Sequence, residues 1–451
     1  MASFAMLRIS SAHAQTELNI GESHSRMLSI AEMFRLADEN NWSLRAASTA
    51  AEAAKERVKT AKNARLPSVD AALSLSYNGN GTITDRDFSH SLAAPIPHFG
   101  NNFSVEVSQV VFAGGAIRNG VKIAELQQQM AALNAEQKRQ EVRFLIAERY
   151  LALCKSKNQL QVFKSSIAQT QQVLENMRAR ANEGAALQND ITRYELQLQS
   201  LSYAKIQLQN STSLLNNQLT TAAGLPSSAI ILPDTAAWAT FAVAPAQYGG
   251  EERERERAWA WARARASPAS TALAVQMAEK SEKMASHSEK ISRAERLPQV
   301  ALFAGDYLNS PVTIEIPALN KNFSYWAAGV GVKYNFGKLY KSASKIRANQ
   351  LAVRQANEEK AAIEEQISLA LAEALVHYNE AFVLLETREK SVELATQNYN
   401  VISRRYDNDL ALITDLLDAA SQKLDAELQA INARINIVYI YYKIKYISGR
   451  L

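Results

Sequence analysis

The sequence predicts a mainly α-helical chain that also carries membrane-crossing β-strands, all built from a tandem repeat. Three observations predict this. The chain repeats itself at a nearly constant displacement, its longest segments place an apolar residue at every seventh position, and shorter segments alternate apolar with polar side chains.

The repeat orders everything else. Ala64-Arg65-Leu66-Pro67-Ser68-Val69 returns as Glu295-Arg296-Leu297-Pro298-Gln299-Val300, and Val111-Phe112-Ala113-Gly114 returns as Asn335-Phe336-Gly337. Arg180 and Asp190 return as Arg405 and Asp415, 225 positions on. Both halves read helix, Leu-Pro, strands, Phe-Gly, very long helix, short turn, helix. The first repeat is expected over 29–226, with a helix near 29–63, a β-hairpin at 66–114, a long helix at 115–182 and a helix at 186–222. The second is expected over 258–451, with a helix near 258–296, a β-hairpin at 297–337, a long helix at 338–407 and a helix at 412–447. Residues 227–257 are expected to link the two. Residues 1–28 are expected to be an N-terminal extension or the remnant of a signal peptide, because Ala12-His13-Ala14 has the small-x-small form of a signal-peptidase site. The apolar run before it is short and interrupted by Arg8, so a disordered terminus fits the same residues.

The helices follow from scarce breakers and a strict period. Only 16 Gly and 10 Pro occur in 451 residues, in a chain rich in Ala, Leu, Gln, Glu, Lys and Arg. Ile146, Leu153, Leu160, Ile167 and Leu174 form a seven-residue ladder. Leu371, Tyr378, Leu385, Val392 and Tyr399 form its counterpart in the second half. Leu187, Tyr194, Leu201, Leu208 and Leu215 continue the spacing on the next helix. Such a period means a buried seam winding around neighbouring helices. On the helices alone, a pair of soluble coiled-coil hairpins fits as well.

The strands separate those readings. Val69, Ala71, Leu73, Leu75 and Tyr77 alternate with polar or small residues, as do Phe103, Val105 and Val107, and Trp326, Ala328, Val330, Val332 and Tyr334. About ten residues of such alternation is the length of a strand crossing a bilayer, apolar toward lipid and polar toward a lumen. Segments 79–102 and 309–322 are expected to be polar loops between paired strands. No run of eighteen consecutive apolar residues is present, so any crossing is expected to be made by strands. Two strands per half give four per chain, too few to close a barrel, and hydrocarbon does not tolerate an open edge. Closure is therefore expected from oligomerisation, and three copies would supply enough strands to enclose a lumen.

Composition excludes several classes. The net charge of +5 is small beside 50 basic and 45 acidic residues, so no nucleic-acid partner is inferred. In the unusual run at 249–266, Glu and Arg interleave and nearly cancel, which favours a solvated helix start. Cys154, the single cysteine, sits beside Leu153 of a ladder and reads as a packed small residue. The histidines show no ligand spacing, and Gly114-Gly115 lacks the Lys and Ser/Thr of a phosphate loop. An enzyme is not expected, and neither a cofactor nor a metal is implied.

From about Ser29 onward the layout resembles the TolC family of outer-membrane efflux and secretion channels. Leu66-Pro67 and Leu297-Pro298 open the hairpins, and Gln109-Val110-Val111-Phe112-Ala113-Gly114-Gly115 is similar to that family's strand-to-helix junction. The stretch from Leu215-Asn216-Asn217-Gln218-Leu219 to Ala223-Gly224-Leu225-Pro226 resembles the end of the family's first half. Asp415-Leu416-Leu417-Asp418-Ala419 resembles the start of its last helix. The resemblance implies a trimeric TolC-like fold: a homotrimer with a twelve-stranded barrel in the outer membrane, a periplasmic helical tube and an equatorial mixed region that includes 227–257. It implies a passive exit duct in the lipid bilayer, working with a periplasmic adaptor protein and an inner-membrane RND or ABC transporter.

The resemblance also assigns a site. The turns Glu183-Gly184-Ala185 and Asn408-Asp409-Leu410 match the periplasmic end, where Gly184, Ala185, Asp409 and Leu410 would meet the adaptor. Gly184 suits a left-handed helix cap, and Asp409, standing where Gly is expected, can adopt that conformation at some cost. Asp190, Asp415 and Asp418 match the carboxylates lining the constriction, and Tyr406 matches a residue bracing the closed end. An arginine expected two residues after the turn glycine is Ala411 here, so Arg404 or Arg405 is the expected substitute. The same aspartates fit an equally simple role, favouring the helix macrodipole at an N-terminus.

Overall fold

The computed structural model describes residues 25–184, 187–234, 272–315 and 318–451. In chain order these form β1 (Ser25–Leu28), α1 (Ile30–Asn40), α2 (Trp42–Asn63), β2 (Ser68–Tyr77), β3 (Gly81–Thr84), β4 (Ser91–Ala94) and β5 (Phe99–Phe112). There follow α3 (Ala116–Asn182), α4 (Gln188–Ala223), β6 (Ile230–Pro233), α5 (Leu273–Ala294), β7 (Gln299–Ser310), β8 (Phe323–Lys333), α6 (Gly337–Asp407) and α7 (Ile413–Ile447). With 67 and 71 residues, α3 and α6 are each roughly 100 Å long at about 1.5 Å per residue.

The described residues divide into two compact units, each drawing on both halves of the sequence. One contains β1, α1, α4, β6, the C-terminal parts of α3 and α6 and most of α7. In its core Leu174 and Met177 of α3 pack with Ile191 and Tyr194 of α4 and with Ile413 and Leu416 of α7; Tyr399, Ile402 and Tyr406 of α6 lie against them. Ladder residues of the sequence therefore meet in this core. Farther along, β1 pairs in parallel with β6. The Tyr150 hydroxyl donates to the Leu28 carbonyl (2.8 Å) and accepts from the Asp234 amide (3.0 Å). Asn216 bonds both the Ala229 carbonyl and the Ile231 amide (2.8 Å each), so one side chain serves this edge of β6 as a neighbouring strand would.

The other unit contains α2, α5, the rest of α3, α6 and α7, and an antiparallel sheet in the order β2-β5-β7-β8. Its register decides how the alternation is used. Val69 faces Val107 and Leu73 faces Phe103; Phe103 in turn faces Leu308, and Leu302 faces Val330. Side chains directly opposite share a face, so most of the apolar residues of all four strands lie on one side, with Asp306 between Val105 and Trp326 as the charged exception. That side is exposed: Leu73 is 69%, Leu75 65%, Val330 63% and Trp326 78% accessible. The other side carries Ser74, Ser104, Glu106, Gly305, Gly329 and Lys333, with Tyr307 and Tyr325 stacked across strands at 5.0 Å. Both outer strands, β2 and β8, have one edge without a strand neighbour among the described residues.

Several expectations are corrected. The helix expected near 29–63 is two helices. Asn41 adopts an extended backbone and its side chain accepts from the Ser43 amide (2.9 Å), starting α2 afresh. The supposed loop 79–102 contains the β3–β4 ladder, and Val312 bridges Leu319 within 309–322. β1 lies inside the supposed extension 1–28 and β6 inside the supposed linker 227–257. α5 begins at Leu273 after an extended Ala272, not near 258. By length and composition alone, α6 holds a stretch apolar enough to cross a membrane, which a search for uninterrupted apolar runs overlooks. Leu371, Ala374, Leu375 and Leu385 of α6 are buried against protein, as bundle helices require. The rest of 1–28 and the run at 249–266 lie outside the described residues.

Candidate aperture at the helix turns

Two helical turn-backs lie in the first unit, and each is built by a left-handed residue. Gly184, with φ +76°, ends α3 and donates its amide to Ala181 (3.0 Å). Asp409, with φ +58°, ends α6; its amide donates to Tyr406 (3.0 Å) and that of Leu410 to Arg405 (2.7 Å). This double bond is a helix-terminating motif that normally selects glycine. An aspartate in its place costs roughly 1 kcal/mol, somewhat eased because short polar side chains tolerate the region. Ala185 lies outside the described residues.

The Asp409 side chain is engaged by a cross-turn contact. The guanidinium of Arg180, in the last turn of α3, donates to the Asp409 carboxylate and lies 5.7 Å over the Tyr406 ring. Hydrogen bonding to Asp409 holds Arg180 above its ordinary pKa. The Tyr406 phenol is pushed up by burial; Arg180 opposes this, while Asp190, Asp409 and Asp407 add to it. Arg180, Asp409, Tyr406 and Asp190 therefore form one electrostatic cluster.

With Ala411 in place of an arginine, the guanidinium that lies against this turn is that of Arg180 from the first repeat, while Arg404 and Arg405 are exposed. Reading along the chain could not pair Arg180 with a residue 229 positions away; the usable signal was a basic residue in the last turn of α3.

Asp415 and Asp418 do not join that cluster. Asp415 sits in the first turn of α7 and accepts from the Leu412 amide (3.1 Å), so it caps its own helix. Asp418 is exposed and accepts from the Gln422 amide group (2.7 Å). Asp190 occupies the first turn of α4, where Leu187 offers no side-chain cap. Among the described residues no group of three metal-ligating side chains comes together. Cys154 is buried and its thiol is pushed well up by desolvation, the opposite of an activated nucleophile.

Comparison with known proteins gives this geometry its context. Residues 34–225 match the family described as outer membrane efflux protein. The outer membrane protein VceC of Vibrio cholerae has a similar structure, with TM-score 0.72 and 14% identity over 93% of this chain and 96% of that one. The Campylobacter jejuni CmeC outer membrane channel aligns with TM-score 0.72 and 14% identity over 93% and 85% of the two chains. The open state of the Neisseria gonorrhoeae MtrE outer membrane channel aligns with TM-score 0.69 and 15% identity over 93% and 88%. No curated protein matches by sequence. Residues 34–225 are thus similar to the outer membrane efflux protein family, and over nearly its whole length the chain has the fold of these outer membrane channels.

Proposed function

We propose that this chain is one protomer of a homotrimeric outer-membrane duct through which an efflux pump or type I secretion system discharges its cargo. The observation that carries the reading is the sheet β2-β5-β7-β8, with its exposed face apolar except at Asp306 and the strand ends, its mostly polar or small opposite face and, among the described residues, its two open edges. Such a sheet is stable in water only if its apolar face is covered, and in lipid only if its edges are closed. Three copies joined edge to edge satisfy both demands, with the apolar face toward lipid and the polar face toward the lumen.

The helices then extend the duct into the periplasm. Its turns carry Gly184, Ala185, Asp409 and Leu410 toward an adaptor protein, and an inner-membrane RND or ABC transporter supplies the energy. Asp190, Asp415 and Asp418 line the narrow end, and Tyr406 with Arg180 braces it. A soluble adaptor or structural coiled coil shares the helical hairpins but has no use for a sheet of this kind.

Extraction and sizing test the reading. The chain is expected in the outer-membrane fraction, released only by detergent and sedimenting as three copies. A monomer that stays in solution without detergent would refute it.

A further inference from the structure

Basic residues gather where the helices meet the sheet. The helical segments flanking the four long strands, 57–66, 116–125, 288–297 and 337–346, together hold twelve Lys or Arg and three Glu, against 50 basic and 45 acidic residues in the whole chain. All four segments belong to the unit that contains the sheet.

The repeat carries the pattern twice. Lys59, Lys62, Arg65 and Leu66 return, 231 positions on, as Lys290, Arg293, Arg296 and Leu297. Spacings of three and four put Lys59, Lys62 and Leu66 on one helix face, and likewise Lys290, Arg293 and Leu297. Both leucines lie in a turn that extends their helix, the Leu66 amide donating to Asn63 (2.9 Å) and the Leu297 amide to Ala294 (3.0 Å). They are exposed, at 63% and 50%, and so are the four basic side chains on their faces. Lys59 and Arg293 pair along their own helices with Glu56 (2.8 Å) and Glu289 (2.5 Å), and Lys62 lies 3.9 Å from Glu125. Surface ion pairs of this kind are worth little, so the cations stay available to another anion. At the start of α6, Phe336 (71%) and Tyr340 (70%) stand four residues apart, exposed and followed by Lys341. Apolar and aromatic side chains at the ends of membrane strands, with cations a turn beyond, match the boundary between hydrocarbon and headgroups. Turned to a water-filled lumen, the same apolar side chains would be left in water.

We propose that these helix ends form a basic collar that binds the phosphates of anionic phospholipids in the leaflet on the helical side of the membrane. Leu66 and Leu297 meet the acyl chains, and Lys59, Lys62, Lys290 and Arg293 hold the headgroups one and two turns farther along the helices. The collar rests on the exit-duct reading and adds the lipid that the duct selects around itself.

Lipid retention by the full-length protein tests it. The detergent-extracted trimer is immobilised, incubated with micelles holding equal amounts of phosphatidylglycerol and phosphatidylcholine, and washed, and its bound phospholipid is measured by class. Phosphatidylglycerol is expected to exceed phosphatidylcholine by about threefold or more. Salt at about 1 M, where the Debye length falls to roughly 3 Å, is expected to erase the preference. The combined variant Lys59→Gln, Lys62→Gln, Lys290→Gln and Arg293→Gln should erase it too. A second variant, Lys164→Gln, Arg193→Gln, Lys390→Gln and Arg404→Gln, removes as much charge from exposed sites in the other unit and should not. Lys59→Arg with Lys62→Arg and Lys290→Arg keeps the charge and should keep the preference. Equal retention of the two lipids by the unaltered trimer, or equal preference in the two glutamine variants, overturns the collar and leaves the duct standing. A preference that survives in the collar variant while ion selectivity changes in planar bilayers would put these charges in the lumen and overturn it likewise. An unaltered protein that is monomeric in detergent overturns both collar and duct.

Discussion

Gly114 and Gly115 join β5 to α3, and both have positive φ, +61° and +86°. They differ in their surroundings. A methyl group at Gly114 would lie 2.9 Å from the Ala294 carbonyl oxygen and 3.0 Å from Leu297, whereas at Gly115 the nearest atom is 3.6 Å away, on Asn119. Gly114→Ala thus combines a left-handed backbone with a collision against backbone that cannot move aside. Its expected cost is roughly 2–4 kcal/mol, against about 1 kcal/mol for Gly115→Ala. Thermal unfolding of the two variants in detergent checks the difference, and equal midpoints would mean that the junction yields. The same principle bears on Asp409, a left-handed non-glycine residue of a type that tolerates this region, whose carboxylate is engaged by Arg180. That backbone conformation was legible from the repeat, since Asp409 stands where a glycine was expected. The arginine that engages it was not, because an ion pair between distant segments leaves no local pattern.

Among the elements, the sheet makes the sharpest distinction between neighbouring residues. Leu73 and Ser74 are adjacent on β2, but Leu73 shares a face with Phe103 and Leu308 while Ser74 shares one with Asn102 and Asn309. If the first face meets lipid, Leu73→Arg should cost about 2–4 kcal/mol near the bilayer midplane, and Ser74→Arg on the lumen side much less. Recovery of heat-resistant oligomer from outer membranes measures this, and equal recovery of the two variants would mean that the faces are misassigned. These long strands could be read in advance because a period of two persisted over about ten residues. The same holds for the ladder Ile146 to Leu174, which lies within α3. Four-residue strands offer no such signal. β1 and β6 are defined mainly by Tyr150, Asn216 and each other, partners drawn from far along the chain, and β3 and β4 exist as a ladder inside a polar segment. Asn40-Asn41 did carry a legible break, since asparagine at a helix start is a preferred cap, but the continuing apolar pattern on both sides concealed it.

For the whole molecule, the proposed duct would draw its ion preference from the carboxylates at the turns. In one protomer Asp415 and Asp418 are one helical turn apart on α7 and both exposed, and Asp190 begins α4. Threefold symmetry would make each of them a ring, and stacked rings of negative charge at a constriction attract cations and repel anions. Helix capping is the competing role, and it is already visible for Asp415 through the Leu412 amide. Asparagine separates the two, because it keeps the capping oxygen and removes the charge. Asp415→Asn combined with Asp418→Asn should therefore leave thermal stability within about 0.5 kcal/mol. The same variant should lower the cation-to-anion permeability ratio in planar bilayers severalfold and weaken block by multivalent cations. The change should be largest at low ionic strength, since at 1 M salt the Debye length falls to about 3 Å and the rings are screened. Asp190→Asn bears on two things at once, because Asp190 is also one of the carboxylates pushing the Tyr406 phenol upward. Its removal should ease that phenol back toward its ordinary value while reducing selectivity in the same direction. Selectivity unchanged at low salt in both variants would remove the charge-ring role from all three aspartates.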